Sequence, residues 1–133
     1  MRLEGWEVRL AKAIEAARDT PFEWGQHDCA TWVSDVRRDL TGLDAAAEWR
    51  SRYRTERGAA RMMRRLGWQR ISDGVTGVLG APLATPLLAQ RGDVVLAGAD
   101  DALGVCLGAV AVFLAPDGLT ERPITACRLA WRV

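Results

Sequence analysis

Histidine occurs once in this chain, as His27, and lysine once, as Lys12, while the three cysteines, Cys29, Cys106 and Cys127, lie far apart. An odd and scattered set of cysteines cannot form the disulfide framework of a small secreted domain, so a reducing compartment at synthesis is expected. Those cysteines and His27 also lack the short paired spacings of a structural zinc site. The glycine-rich run GVTGVLG has neither the preceding strand nor the terminal lysine of a phosphate loop. No cofactor is therefore expected. No stretch approaches the roughly 20 unbroken apolar residues of a membrane span. The first residues, MRLEGWEVRLAKAIEAARD, carry charge where a secretory leader is apolar, so neither membrane insertion nor export is expected. A formal charge of +1 gives the molecule no overall field to attract nucleic acid.

About half of the 133 residues are apolar, enough for one core and too few for two ordinary domains. A single domain over residues 1–133 is expected. The basic side chains are nearly all arginine, and Arg50, Arg52, Arg54, Arg57, Arg61, Arg64, Arg65 and Arg70 crowd one stretch. Guanidinium groups bind carboxylate or phosphate bidentately, so this face is a candidate for gripping a partner, with Arg61 and Arg65 its representatives. The alternative is an ordinary solvated helix face.

Trp6, Leu10, Ala13, Ile14 and Ala17 recur at helical steps, predicting a helix over residues 4–18 that ends before Thr20-Pro21. After the irregular PFEWGQHD, the residues Cys29, Trp32, Val33, Val36 and Leu40 predict a second helix from Asp28 to Thr41-Gly42. A short helix is expected near Asp44, in DAAAEW, and another over residues 55–66 with Met62, Met63 and Leu66 inward. Residues 71–90 predict a loop holding at most one short helix. Beyond them GDVVLAG, LGVCLG, AVAVFLAP, GLTER and CRLAWRV are β-branched or aromatic runs divided by turn signals, the pattern of antiparallel hairpins. The fold class is α+β, with N-terminal helices packed on a small C-terminal antiparallel sheet.

Cys29 falls in the first turn of the second helix, beside unpaired backbone N–H groups and the positive end of the helix dipole. Both favour a thiolate and could stabilise an oxyanion. Any cysteine–histidine mechanism must use His27, two residues away, as its base. The bland alternative is a small buried Cys29 with His27 and Asp28 bonding the loop and cap backbone.

The run FEWGQHDCATWV, followed about sixty residues later by RGDVVL and then GVCLG, resembles the NlpC-type superfamily of papain-like cell-wall cysteine peptidases and amidases. In that superfamily an aromatic residue and glycine precede an Asp-Cys pair at a helix start. A Gly-Asp opens the first strand, and the second reads approximately H-V-G-I-Y-L-G. Trp24, Gly25, Asp28, Cys29, Gly92, Asp93, Gly104, Val105 and Gly108 stand at the matching positions. The spacing of GQHDCATWV, Thr41-Gly42-Leu43-Asp44, RGDVVL and the terminal AWRV further resembles a small family of tail proteins from tailed phages and gene transfer agents.

The resemblance implies a papain-like fold, a nucleophile at Cys29, and Trp24 and Asp28 as binding-site residues. It also implies a place in the virion tail after synthesis in the host cytoplasm, with other tail proteins as partners. One departure stands out: Ala102 occupies the position of the superfamily's strand histidine. Two functions follow as expectations. The first is a tail-tip docking module with a degenerate active site. The second is a cysteine amidase or endopeptidase that cleaves peptidoglycan stem peptides, with His27 as an atypical base to Cys29.

Overall fold

The computed structural model describes residues 1–133 and orders them as four helices followed by a five-stranded antiparallel sheet. Helix α1 (Trp6–Arg18) starts after Gly5, whose φ of 73° is left-handed, and buries Leu10, Ile14 and Ala17 along one stripe. Helix α2 (Cys29–Thr41) begins at a reciprocal cap: the Asp28 carboxylate accepts the Thr31 N–H at 2.9 Å, and the Thr31 hydroxyl accepts the Asp28 N–H at 2.8 Å. It stops at Gly42, with φ 81°, after burying Trp32, Val33, Val36 and Leu40. Helix α3 (Glu56–Arg65) is capped by Thr55 and buries no residue fully. Helix α4 (Ile71–Leu79) follows, its first turn held by the Asp73 carboxylate, which accepts the Gln69 and Arg70 N–H groups.

The sheet runs in the order β4 (Gly118–Pro123), β3 (Val110–Ala115), β2 (Ala102–Cys106), β1 (Val94–Ala97), β5 (Cys127–Trp131). The final strand therefore returns across the hairpins to pair with the first. Alternation along each strand makes two apolar faces. Val94, Leu96, Leu103, Val105, Val112 and Leu114 meet α1 and α2. On the other face Val95, Ala97, Cys106, Ala111, Phe113 and Ala130 are covered by Leu83, Ala89 and Ile124. Gly104 is required on that second face, since a Cβ there would lie 2.5 Å from the Phe113 ring. A third, smaller cluster of Ala46, Trp49 and Tyr53 sits outside the sheet, with Trp24, Met62 and Trp68 against it.

Asp93, fully buried just before β1, fastens both ends of the chain. Its carboxylate pairs with Arg2 at 2.9 Å and Arg132 at 3.0 Å, and accepts the N–H groups of Gln90 and Val133. A buried carboxylate is tolerated only when paired and hydrogen-bonded in this way.

One expectation is corrected. The DAAAEW segment forms turns and no helix, because the Asp44 carboxylate takes the Ala46 N–H and the Arg50 guanidinium, and Ser51 turns left-handed at φ 65°. The short helix allowed within residues 71–90 is α4, which forms despite Gly74 and Gly77, both poor helix formers. Packing decides this: Gly74 lies flat against the Trp68 ring, and the Trp131 indole N–H donates to the Thr76 hydroxyl at 3.1 Å. No helix is long and apolar enough to cross a membrane.

Removing the carboxylate with Asp93→Ala should cost about 3–5 kcal/mol, the typical penalty for stranding a buried partner. Arg132→Ala, which deletes a half-exposed side chain, should cost under about 1 kcal/mol. Urea denaturation of both variants checks the ranking, and equal midpoints would remove Asp93 as the fastening point.

Candidate functional site

Helix α2 presents Cys29 at its first position because Asp28 caps it and is itself immobilised. Asp28 is 1% exposed. One carboxylate oxygen, Oδ1, accepts the Thr31 N–H; the other, Oδ2, accepts the Gly25 N–H at 2.9 Å and the Tyr53 hydroxyl at 2.6 Å. Gly25 is positioned by this bond in a left-handed turn, φ 83°, where a Cβ would lie 2.0 Å from the Tyr53 carbonyl oxygen. Its own carbonyl accepts the Ser51 N–H at 2.9 Å. The loop before α2 and the loop before α3 are thus stitched together around one carboxylate.

The Cys29 thiol faces an apolar cleft of about 110 Å³ lined by Trp24, Trp49, Met62, Leu66 and Trp68, among others. Burial, and next the Asp28 carboxylate, push the thiol up to about 11, against the opposing pull of the N–H groups of Leu103, Ala30 and Cys29 itself. The expectation that the helix start would favour thiolate is overturned. Desolvation and a neighbouring negative charge outweigh the helix end. The Leu103 contact does place the sulfur beside the first residues of β2.

His27 is not brought to that sulfur. It lines a different cavity, with Ala13, Ala17, Trp32, Asp35 and Val36, from the cleft that Cys29 lines with Trp24, Ala30 and Trp49. Neither group is among the charges that shift the other's proton affinity. The buried His27 Nε2 has no hydrogen-bond partner, and burial lowers the imidazole's pKa, against the raising pull of Asp35 and then Asp28. The antiparallel bridge between Glu23 and His27 fixes this orientation through the backbone. The expected base for Cys29 is therefore missing. Ala102 offers no substitute position either, since its side chain packs on the face of the sheet with Cys106. Asp101, left-handed at φ 53°, is engaged by Arg70 through two hydrogen bonds of 3.0 and 2.6 Å and by Arg128. Both arginines hold its carboxyl below the usual range.

Trp24 and Asp28, expected at the binding site, do lie at the Cys29 cleft. Arg61 and Arg65 do not. They line a second depression, with Arg52, Arg54, Ser51 and Thr55, on the other side of α3. Tyr53 and Met62 form the wall shared by the two. Tyr53 is the functional residue that sequence reasoning missed. Its signal was chemical: it is the only tyrosine in the chain, and a buried hydroxyl needs a partner. Burial and the Asp28 carboxylate raise its pKa strongly. Cys106 and Cys127 are free thiols on the far face of the sheet, apart from Cys29.

The whole chain, residues 1–133, matches the family described as Domain of unknown function (DUF6950). No curated protein matches it.

Tyr53→Phe should lower stability by about 1–3 kcal/mol, because Oδ2 of the buried Asp28 loses one of its two donors. Gly25→Ala should cost more, as the added methyl meets backbone that cannot give way. Thermal unfolding followed by tryptophan emission orders the two. A Tyr53→Phe protein as stable as the wild type would show that the hydroxyl contributes nothing.

Proposed function

The chain belongs to the DUF6950 family, and from the site described above we propose that it is a docking module of a phage or gene-transfer-agent tail. In this reading it keeps an NlpC-type papain-like fold whose hydrolase site is degenerate. What supports the kinship is the placement of the matched residues. Asp-Cys opens a helix, Gly92-Asp93 precedes β1, and the sulfur lies beside the start of the adjacent strand β2. The observation that carries the loss of catalysis is the thiol's setting: it faces apolar side chains, with no imidazole beside it and a pKa near 11. Acyl transfer needs a thiolate and then a proton donor for the leaving amine. The raised thiol and the placement of His27 in another cavity support a degenerate site.

One observation favours the alternative of a cysteine amidase acting on peptidoglycan stem peptides. The backbone N–H groups of Cys29, Ala30 and Leu103 lower the thiol's proton affinity, which places backbone donors in its neighbourhood. The two readings differ in what a thiol reagent and a substrate report. With its pKa raised from 9.0 to about 11, Cys29 holds about 100-fold less thiolate near neutral pH than an unperturbed cysteine. Iodoacetamide labelling of Cys29, followed by peptide mass mapping, should be correspondingly slow at pH 7.5. It should still be rising at pH 10, because deprotonation proceeds only as pH approaches the raised value. Fast labelling with a plateau below pH 8 would contradict the docking reading. Purified peptidoglycan incubated with wild type and with Cys29→Ala should release equal, background amounts of fragments. Release by the wild type alone would establish the amidase.

A further inference from the structure

Between the loop at residues 51–54 and α3 lies an open depression of about 550 Å³ into which Arg52, Arg54, Arg61 and Arg65 project. Arg57 and Arg64 are exposed on the same helix. None of these six arginines forms an ion pair or a side-chain hydrogen bond, whereas Arg2, Arg50, Arg70 and Arg128 are each bonded to a carboxylate. Glu56 is the only acid between Glu48 and Asp73. The molecule has nearly as many acids as bases, so this concentration of unneutralised guanidinium is local.

We propose that this arginine-lined depression docks an acidic polypeptide segment, a run of aspartate and glutamate on a partner protein. The ligand chemistry follows from the lining. Guanidinium groups bind carboxylates through paired, charge-assisted hydrogen bonds. The Ser51 and Thr55 side chains add polar groups, and the positive end of the α3 dipole lies at Thr55. Nucleic acid fits less well. The nearby aromatic residues Trp49 and Tyr53 are buried, so no stacking platform is offered, and the charge converges on one hollow instead of running along a groove. A membrane surface fits less well too, because Met62 and Tyr53 are the only apolar lining residues and neither is exposed. The depression is rigidly backed: the Tyr53 hydroxyl is bonded to Asp28 and Thr55 caps α3.

The assignment deepens the docking reading and rests on it for the partner's being a protein. Its test uses the full chain and a fluorescein-labelled decamer of alternating Asp and Glu, read by anisotropy. Saturable binding that weakens with salt is expected. The double variant Arg61→Glu/Arg65→Glu should bind at least about tenfold more weakly, whereas Arg9→Glu/Lys12→Glu, with the same change in net charge on α1, should bind as the wild type does. Circular dichroism melting shows whether each variant is folded, and Arg61→Gln/Arg65→Gln provides a milder second pair. Absence of saturable binding, equal loss in both charge-reversed proteins, or no loss in either would overturn the proposal. So would tighter binding of a ten-nucleotide oligothymidylate or of vesicles containing phosphatidylserine. A negative result here, with an inert Cys29 in the peptidoglycan assay, discards this surface and leaves the docking reading. Cys29-dependent hydrolysis discards that reading and leaves the surface to its binding data.

Discussion

The Asp28 carboxylate is the constraint on which the site depends. Buried without a counter-cation, it is held by the backbone N–H groups of Gly25 and Thr31 and by the Tyr53 hydroxyl. A carboxylate so satisfied is stable where an unpaired one would not be. It performs three tasks at once. It starts α2, turns the preceding loop at Gly25, and pins the segment that leads into α3. Because Cys29 is the next residue, the same group that positions the thiol also repels its ionised form.

That double role explains why a helix-start cysteine is not activated here. Backbone N–H groups at the helix start and at Leu103 pull the thiol toward ionisation, and burial together with Asp28 pushes harder the other way. The burial comes from Trp24, Trp49, Met62, Leu66 and Trp68, carried largely by the segment that Tyr53 ties down. Closing the cleft with α3 has a second consequence. With its apolar side turned to the thiol, α3 presents its arginines outward, so an apolar cleft and an exposed basic hollow are two faces of one helix. On the sheet, Asp93 plays a comparable part, drawing Arg2 and Arg132 to the strand whose backbone opens the core.

Local patterns were legible wherever burial and backbone chemistry agree. The 3.6-residue stripe of α2, its start at Asp28 and its glycine stop all lie within one segment, and the structure has them as read. The five strands likewise carry their own alternation and turns. The misses share a cause. DAAAEW has helical propensity but loses its first turn to the Asp44 and Arg50 side chains. His27 stood near Cys29 in sequence, yet it lines a cavity with Ala13 and Ala17 of α1.

The amino-acid sequence by itself determined the α+β class, the order of elements, the helix-start address of Cys29 and the arginine-rich stretch, because each depends on neighbours a few residues apart. Tertiary structure alone decided whether the thiol is active and where the imidazole points. It also separated Trp24 and Asp28 from Arg61 and Arg65 into two different concavities. The physical reason is that proton affinity and access are set by solvent exclusion and by charges from distant parts of the chain. Residues 24–29, 49–53, 62–68 and 103 meet only once the sheet, α2 and α3 have packed.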